Sequence, residues 1–162
     1  MKLHFSKALF ALSVVAASGV TPMAFAQNSA PTAPVIATDQ SLFNDFGGRE
    51  GLVALMDDFM ISLLADPLTK PFFEASDQVK VKNHLVEQFC VILNGGCTYS
   101  GRDMRTTHEG MGVTQAGFYS LVESLQKSMA KRDIPFRAQN KLLGALAPQH
   151  RDIVARPAPA AQ

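Results

Sequence analysis

The chain has 162 residues, 47% of them hydrophobic and 18% charged, with a formal net charge of +1. Its first 26 residues contain two lysines and no acidic residue, so without them 13 basic residues face 14 acidic ones. A net charge near −1 provides no electrostatic basis for binding nucleic acid or an anionic membrane, and we expect neither partner.

The N-terminal segment is typical of a secretory signal peptide. Lys2 and Lys7 precede a short apolar run, and Ala24-Phe25-Ala26 resembles a cleavage site, so residues 1–26 are expected to be removed. A membrane anchor is the weaker alternative because the apolar run is too short to span a bilayer comfortably. We therefore predict a secreted, periplasmic protein. The predicted mature chain has a flexible linker over 27–40, one domain over 41–154 and a disordered tail over 155–162.

Hydrophobic spacing predicts four long helices, which begin near Arg49, Asp77, Thr114 and Pro135. Glycine or proline ends three of them, at Asp66-Pro67, Asn94-Gly95-Gly96 and Pro148. Their inward residues are predicted to be Leu52, Met56, Phe59, Met60 and Leu63; Val81, Leu85, Phe89 and Ile92; Phe118, Leu121, Val122 and Leu125; and Leu142, Leu143 and Leu146. Alternating strand patterns, Walker loops, Gly-x-Gly-x-x-Gly and Gly-x-Ser-x-Gly do not occur in the sequence. The predicted fold class is all-α.

Four amphipathic helices can pack as a plain bundle, but three features favour a ligand site. The connection over 94–113 is long and rich in Gly and Met, and Phe72-Phe73 follows two prolines. His108 ends a short predicted helix and is followed by Gly110 and Gly112, where the backbone can turn sharply. A neutral imidazole presented in this way suits the single axial protein ligand of a haem iron. A histidine that merely complements a helix dipole is the structural alternative.

Several short segments carry a resemblance to a known family. They are Phe46-Gly47-Gly48, Asp58-Phe59, Leu64-Ala65-Asp66, Phe72-Phe73, Asn94-Gly95-Gly96, Tyr99-Ser100-Gly101, Met104 and His108 to Thr114. In this order and spacing, the stretch from Ser41 to Val154 resembles the group I truncated haemoglobins. The resemblance implies a two-over-two helical sandwich around haem b (iron protoporphyrin IX), with His108 as the proximal iron ligand and Phe73 against the haem face.

The other two histidines of the predicted mature chain differ in their expected roles. His84 lies at the edge of the second apolar stripe. Some group I members are similar in having a histidine at this place, where it can bind iron as the distal ligand; the alternative is a contact with a propionate or with solvent. His150 lies near the C-terminus in Gln-His-Arg-Asp, so we expect it to be a solvated surface residue.

The sequence departs from the family pattern on the predicted distal side. Many group I members have a tyrosine in place of Met60 and glutamine in place of Val81 or Leu85, and none of these three residues can donate a hydrogen bond. Loss of one such donor weakens bound dioxygen by about 1–3 kcal/mol. Tight oxygen storage is therefore not expected unless His84 supplies the donor. Met60 can also ligate iron, but packing is the commoner use of methionine.

Cys90 and Cys97 flank the break after the second helix. In an oxidising compartment they can form a disulfide, and two unpaired thiols are the alternative. The sequence has no Cys-x-x-Cys-His, so attachment of a c-type haem is not expected.

These observations predict a haem pocket and a gas-binding function. The predicted cofactor-binding residues are Met60, Phe72, Phe73, Val81, His84, Leu85, Phe89, Met104, His108, Met111, Val113 and Phe118, with His108 and His84 as candidate metal ligands. The predicted function is reversible binding of O2, NO or CO, and the resemblance adds oxidation of nitric oxide by bound dioxygen. One alternative is a six-coordinate haem protein, ligated by two histidines, that exchanges electrons with a redox partner or senses a ligand. Another is a haem-free helical interaction domain.

Overall fold

The computed structural model describes residues 34–155 of the chain. These residues contain eight α-helices and one short 3₁₀ helix. The α-helices are α1 (Ser41–Asp45), α2 (Gly48–Ala65), α3 (Lys70–Glu74), α4 (Gln78–Ile92), α5 (Met104–His108), α6 (Gln115–Lys131), α7 (Phe136–Leu146) and α8 (His150–Ile153). The 3₁₀ helix, Ala147–Gln149, joins α7 to α8. The predicted signal peptide lies outside the described residues. Within 34–155 there is no β-strand, so the predicted all-α class is confirmed.

Side-chain caps explain where three of the helices begin. Asp77 accepts a hydrogen bond from the Lys80 N–H (3.0 Å), and Thr114 accepts one from the Gly117 N–H (3.1 Å). Asp103 accepts one from the Thr106 N–H (2.9 Å). Each bond satisfies a backbone donor that has no partner within the first turn of its helix.

Helix α2 is the centre of the fold, packing against both α4 and α6. Its predicted stripe is buried throughout, and burial of each large apolar side chain contributes about 1.5–3 kcal/mol. The core is formed mainly by Leu52, Leu55, Met56, Phe59 and Leu63 of α2, Val86, Phe89 and Ile92 of α4, Leu125 and Met129 of α6, and Ala138 and Leu142 of α7. Helix α7 completes the two-over-two sandwich by packing against α4 and α6.

Some residues predicted to be core are only half-buried. They are Val81 and Leu85 of α4, Phe118, Leu121 and Val122 of α6, and Leu143 and Leu146 of α7. The reason is that they face an internal cavity rather than another helix.

Ion pairs connect helices that are distant in sequence. Asp58 of α2 pairs with Lys131 (2.7 Å) and Arg132 (2.8 Å) near the end of α6, and Arg105 of α5 pairs with Asp152 of α8 (2.7 Å). The hydrogen bond from Lys131 lowers the pKa of Asp58. Because these cations are largely solvated, the pairs mainly fix how the helices sit on one another.

A disulfide joins Cys90 of α4 to Cys97 in the following loop, with 5.7 Å between their Cα atoms. This is the paired alternative of the two considered from the sequence. None of the helices in residues 34–155 combines the length and the apolar character needed to cross a membrane.

Candidate functional site

A cavity of about 870 Å³ lies between α4, α6 and the C-terminal helices. This volume falls within the range of about 300–1,000 Å³ that small-molecule and cofactor sites occupy. Its walls are mainly apolar and include Phe59, Phe73, Val81, Leu85, Phe89, Phe118, Leu121, Val122, Leu125, Leu143, Leu146 and Ile153. Polar side chains enter at a few places, among them Lys80, His84, Arg102 and His108. The cavity therefore suits a large apolar ligand that carries a small number of polar groups.

His108 reaches the cavity from the last residue of α5, and a backbone contact selects its tautomer. Its Nδ1 lies 2.7 Å from the carbonyl oxygen of Met104. Because a carbonyl oxygen only accepts hydrogen bonds, Nδ1 carries a proton, and in the neutral imidazole Nε2 is the nitrogen with the free lone pair. The same hydrogen bond fixes the orientation of the ring, as outer contacts do for metal-ligating histidines. His108 is therefore a preorganised donor for one metal ion.

The backbone turns sharply after His108, as predicted. Gly110 and Gly112 have positive φ angles of 76° and 68°, which residues with a Cβ rarely adopt. These two turns lead the chain from α5 to the Thr114 cap of α6.

His84 lies in the cavity wall on α4, next to the loop that follows the disulfide. Its ring meets the ring of Tyr99 edge-on, with 6.1 Å between centroids. One turn along the helix, Glu87 accepts hydrogen bonds from the hydroxyl (2.7 Å) and the N–H (2.9 Å) of Ser100. Both bonds lower the pKa of Glu87, and the bond from the hydroxyl has the larger effect. The loop is thus attached to the helix that carries His84.

We call residues 97–102 the strap, because four consecutive residues, 99–102, line the cavity. The Tyr99 hydroxyl donates to the Arg102 carbonyl (2.8 Å). The pKa of Tyr99 is raised mainly by burial of its side chain and to a smaller extent by the nearby Glu87 carboxylate. The Tyr99 ring occupies the place where a Cβ at Gly101 would lie. Glycine is therefore required at 101 for this close approach.

His150 differs from its prediction as a solvated surface residue. Its ring meets Phe118 edge-on, with 4.8 Å between centroids, and stacks on Tyr119. Its Nε2 is buried in the cavity wall and has no hydrogen-bond partner among residues 34–155. The reason is that the 3₁₀ helix containing Pro148 leads into α8, which packs against α5 instead of fraying.

The structure brings most of the predicted site residues together. Those that line the cavity are Phe73, Val81, His84, Leu85, Phe89, Met104, His108 and Phe118. Four do not line it. Met60 is buried within α2, Phe72 lies towards Gly117, Met111 is 40% exposed in the turn after α5, and Val113 is buried where its carbonyl accepts from the Ala155 N–H. In each case the side chain points to another side of its helix or turn.

Sequence reasoning missed the polar part of the wall. Gln88 and Gln149 are buried beside the cavity, and Gln88 Nε2 donates to Gln149 Oε1 (3.4 Å). Lys80, Ser100 and Arg102 also lie in the wall. For the residues on helices, the available signal was a polar residue inside an apolar stripe. The others lie in a loop whose path the sequence does not define, so no local signal identified them. The described residues contain no group of three or more His, Cys, Asp or Glu that could hold a metal ion.

Comparisons with known proteins agree with this geometry. A family model described as bacterial-like globin matches residues 41–154. A group 1 truncated hemoglobin, GlbN of Mycolicibacterium paratuberculosis, is 30% identical over 112 residues, which cover 69% of this chain and 82% of that protein. GlbN of Nostoc commune is 32% identical over 94 residues, covering 58% and 80%.

Solved structures show the same fold. The truncated hemoglobin of Tetrahymena pyriformis in its Fe(III) form has a TM-score of 0.67 at 21% identity, covering 71% of this chain and 98% of that one. The 2/2 hemoglobin of Synechococcus sp. PCC 7002, in the cyanomet state and with covalently attached heme, has a TM-score of 0.65 at 25% identity and the same coverage. The two-over-two sandwich predicted from the sequence is confirmed.

Proposed function

Because the chain belongs to the bacterial-like globin family, we propose that it holds haem in the cavity described above and binds a diatomic gas reversibly at the iron. One observation carries the assignment of the iron ligand. The Met104 carbonyl accepts a hydrogen bond from the Nδ1–H of His108, so that Nε2 is available at the cavity wall. The iron supplies the gas-binding position, and the protein supplies the axial nitrogen and the enclosure.

The cavity residues fit haem b in their chemistry. Apolar and aromatic side chains can cover the porphyrin faces. Lys80 and Arg102 provide two cations in the same wall, where they can pair with the haem propionates. The absence of Cys-x-x-Cys-His from the sequence gives no support for thioether attachment.

The gas ligand is proposed to be O2, NO or CO. Val81, Leu85 and Phe89 line the cavity and offer no hydrogen-bond donor, so any donor from α4 comes from His84, Lys80 or Gln88. Oxidation of nitric oxide by dioxygen is a further activity that we propose from the family resemblance alone.

We also propose that the protein works after export, in the periplasm. The support is the signal-like sequence of residues 1–26 together with the Cys90–Cys97 disulfide, since disulfides persist in oxidising compartments.

The central experiment is haem reconstitution of the full chain followed by absorption spectroscopy. We expect an intense Soret band, and we expect His108→Ala to lose its axial signature and regain it with added imidazole. Because His84 also lines the cavity, His84→Ala is the matched variant. Sharp low-spin bands in the reduced protein that vanish in His84→Ala would indicate the six-coordinate electron-transfer alternative. If no Soret band forms, the globin function is contradicted and the haem-free interaction domain is favoured.

A second feature of haem binding is favoured by His150. The Synechococcus relative carries covalently attached heme, and in this chain the His150 Nε2 is a buried cavity atom to which no described residue offers a hydrogen bond. We propose that this nitrogen adds to a haem vinyl group. In such an addition Nε2 would bond to one vinyl carbon, a proton from solvent would add to the other, and the imidazole would lose its Nδ1 proton. No electrons are gained or lost overall.

Mass spectrometry after acid extraction tests this attachment. We expect part of the polypeptide to gain the mass of one haem, with the modified peptide containing His150. His150→Ala should lose the added mass, whereas His84→Ala should keep it. Complete extraction of haem from the native protein would contradict covalent attachment and leave the proposed gas-binding function unaffected.

A further inference from the structure

We infer that the Cys90–Cys97 disulfide is a redox-sensitive latch that controls how long the cavity retains its cofactor. The inference rests on the proposed haem-binding function. It concerns the strap, residues 97–102, rather than the iron ligands.

The disulfide holds the start of the strap against α4. Cys90 is fully buried in α4, and Cys97 is the first residue of the strap. Residues 93–103, between the end of α4 and the beginning of α5, contain no helix or strand. A covalent link within such a segment removes much of its conformational freedom.

The strap forms one wall of the cavity. Tyr99, Ser100, Gly101 and Arg102 all line it, so any movement of the strap opens the cavity on that side. A second attachment to α4 is the pair of hydrogen bonds from Ser100 to Glu87 (2.7 and 2.9 Å). Without the disulfide, the strap depends on such non-covalent contacts, which solvent can replace.

The disulfide is open to reagents from the Cys97 side. Cys97 is partly exposed, and the Arg49 guanidinium Nη1 lies 3.7 Å from its Sγ. A nearby guanidinium favours the thiolate form of a cysteine, which lowers the cost of opening the bond. An external dithiol supplies two electrons and two protons. The S–S bond breaks to give two thiols, and the dithiol becomes a disulfide.

The experiment measures haem transfer from the ferric, haem-loaded full chain to an excess of a haem-scavenging apoglobin. The native disulfide form is compared with Cys97→Ser and with Cys90→Ala, so that the result does not depend on one variant folding. We expect both variants to release haem about tenfold faster, a modest fraction of the effect that a disulfide exerts on a domain. Ser100→Ala should accelerate release more in the Cys97→Ser background than in the native protein, because each attachment compensates for the other.

Two controls separate the latch from a general loss of stability. Asp58→Asn weakens the ion pairs between α2 and α6 and leaves the strap intact, so it should not accelerate release. Hydrogen exchange of the haem-free chain is measured with and without dithiothreitol. Exchange at residues 97–102 should be faster when dithiothreitol has reduced the disulfide. Equal release rates in native and cysteine variants, or equal acceleration by Asp58→Asn, would overturn the latch. If the chain binds no haem, the proposed function is contradicted and not the latch. Unchanged hydrogen exchange in the strap would overturn the latch even if haem is not involved.

Discussion

Single residues determine what the cavity can do with a bound gas. Val81 lies three residues before His84 on the same helix, and Leu85 lies one residue after it. Both line the cavity, and neither can donate a hydrogen bond. These two positions therefore enclose a ligand without polar stabilisation, and the polar groups that the same helix brings to the wall besides His84 are Lys80 and Gln88. The properties of the wall should respond strongly to the introduction of one donor.

Leu85→Gln tests this at the residue scale. A glutamine amide in the wall can donate to a polarised oxygen ligand, which contributes about 1–3 kcal/mol and slows O2 dissociation by roughly fivefold to 150-fold. Stopped-flow measurement of O2 release gives the rate. Leu85→Met keeps the volume without the donor and should leave the rate almost unchanged. Equal rates in the two variants would show that position 85 does not face the bound gas.

Gly101→Ala tests the close approach within the strap. A Cβ at this position collides with the Tyr99 ring, so we expect the free energy of unfolding to fall by about 1–3 kcal/mol, as in other overpacked sites. Gly144 provides the matched control, because it lies in α7 and an added Cβ would have none of the described residues' atoms that could obstruct it within 4 Å. Gly144→Ala should stabilise the protein by up to about 1 kcal/mol. Urea unfolding measures both, and equal effects would contradict the packing argument.

At the scale of whole elements, α5 is notable because it has five residues and carries the candidate iron ligand. A helix this short is not stable in isolation. It is held by the Asp103 cap, by the Arg105–Asp152 ion pair to α8 and by the contact between His108 and the Met104 carbonyl. The orientation of His108 therefore depends on the ends of a short helix.

Replacing Asp103 tests this dependence. The N–H of Thr106 is the largest cause of the lowered pKa of Asp103, so its stabilisation of α5 is complete above the unfolded value near 3.8 and is lost as pH falls through the lower folded value. Asp103→Ala should increase amide exchange in α5 at neutral pH, whereas Asp103→Asn, which can still cap, should not. Because asparagine does not ionise, the Asp103→Asn variant should keep its cap as the pH falls. Identical exchange in all three proteins would contradict the role of the cap.

The elements differ in how far the sequence predicts them. Helices α2 and α4 begin and end near the predicted residues, and α6 begins directly after the predicted Thr114, because caps, glycines and prolines act locally. The positions of the strap and of α8 depend on tertiary contacts with α4 and α5, for which local sequence has no signal. His150 was misassigned for this reason. Met60 and Met111 belong to correctly predicted segments, but which side faces the cavity depends on how each segment is rotated.

For the whole molecule, carboxylates whose pKa values are lowered link stability to pH. Lys131 lowers the pKa of Asp58, and the Ser120 hydroxyl lowers that of Asp66. Both aspartates connect α2 or its end to α6. Their stabilising contributions are complete above the unfolded value near 3.8 and are lost as pH falls through the lower folded values.

Urea unfolding at several pH values measures this linkage. We expect the free energy of unfolding to change little between about pH 7 and 5 and to fall below about pH 4. Asp58→Asn should be less stable than the native protein at neutral pH, and the difference should shrink on acidification. A difference that stays constant down to the acid transition would show that Asp58 does not contribute to the linkage.

The contribution of the final helices to the cavity also affects the order of events during biosynthesis. Leu143, Leu146, His150 and Ile153 supply one wall, and in chain order they follow the wall residues of α2, α4 and α6. A nascent polypeptide emerging N-terminus first cannot enclose the cofactor until these residues have appeared. Enclosure of haem therefore follows the synthesis of α8.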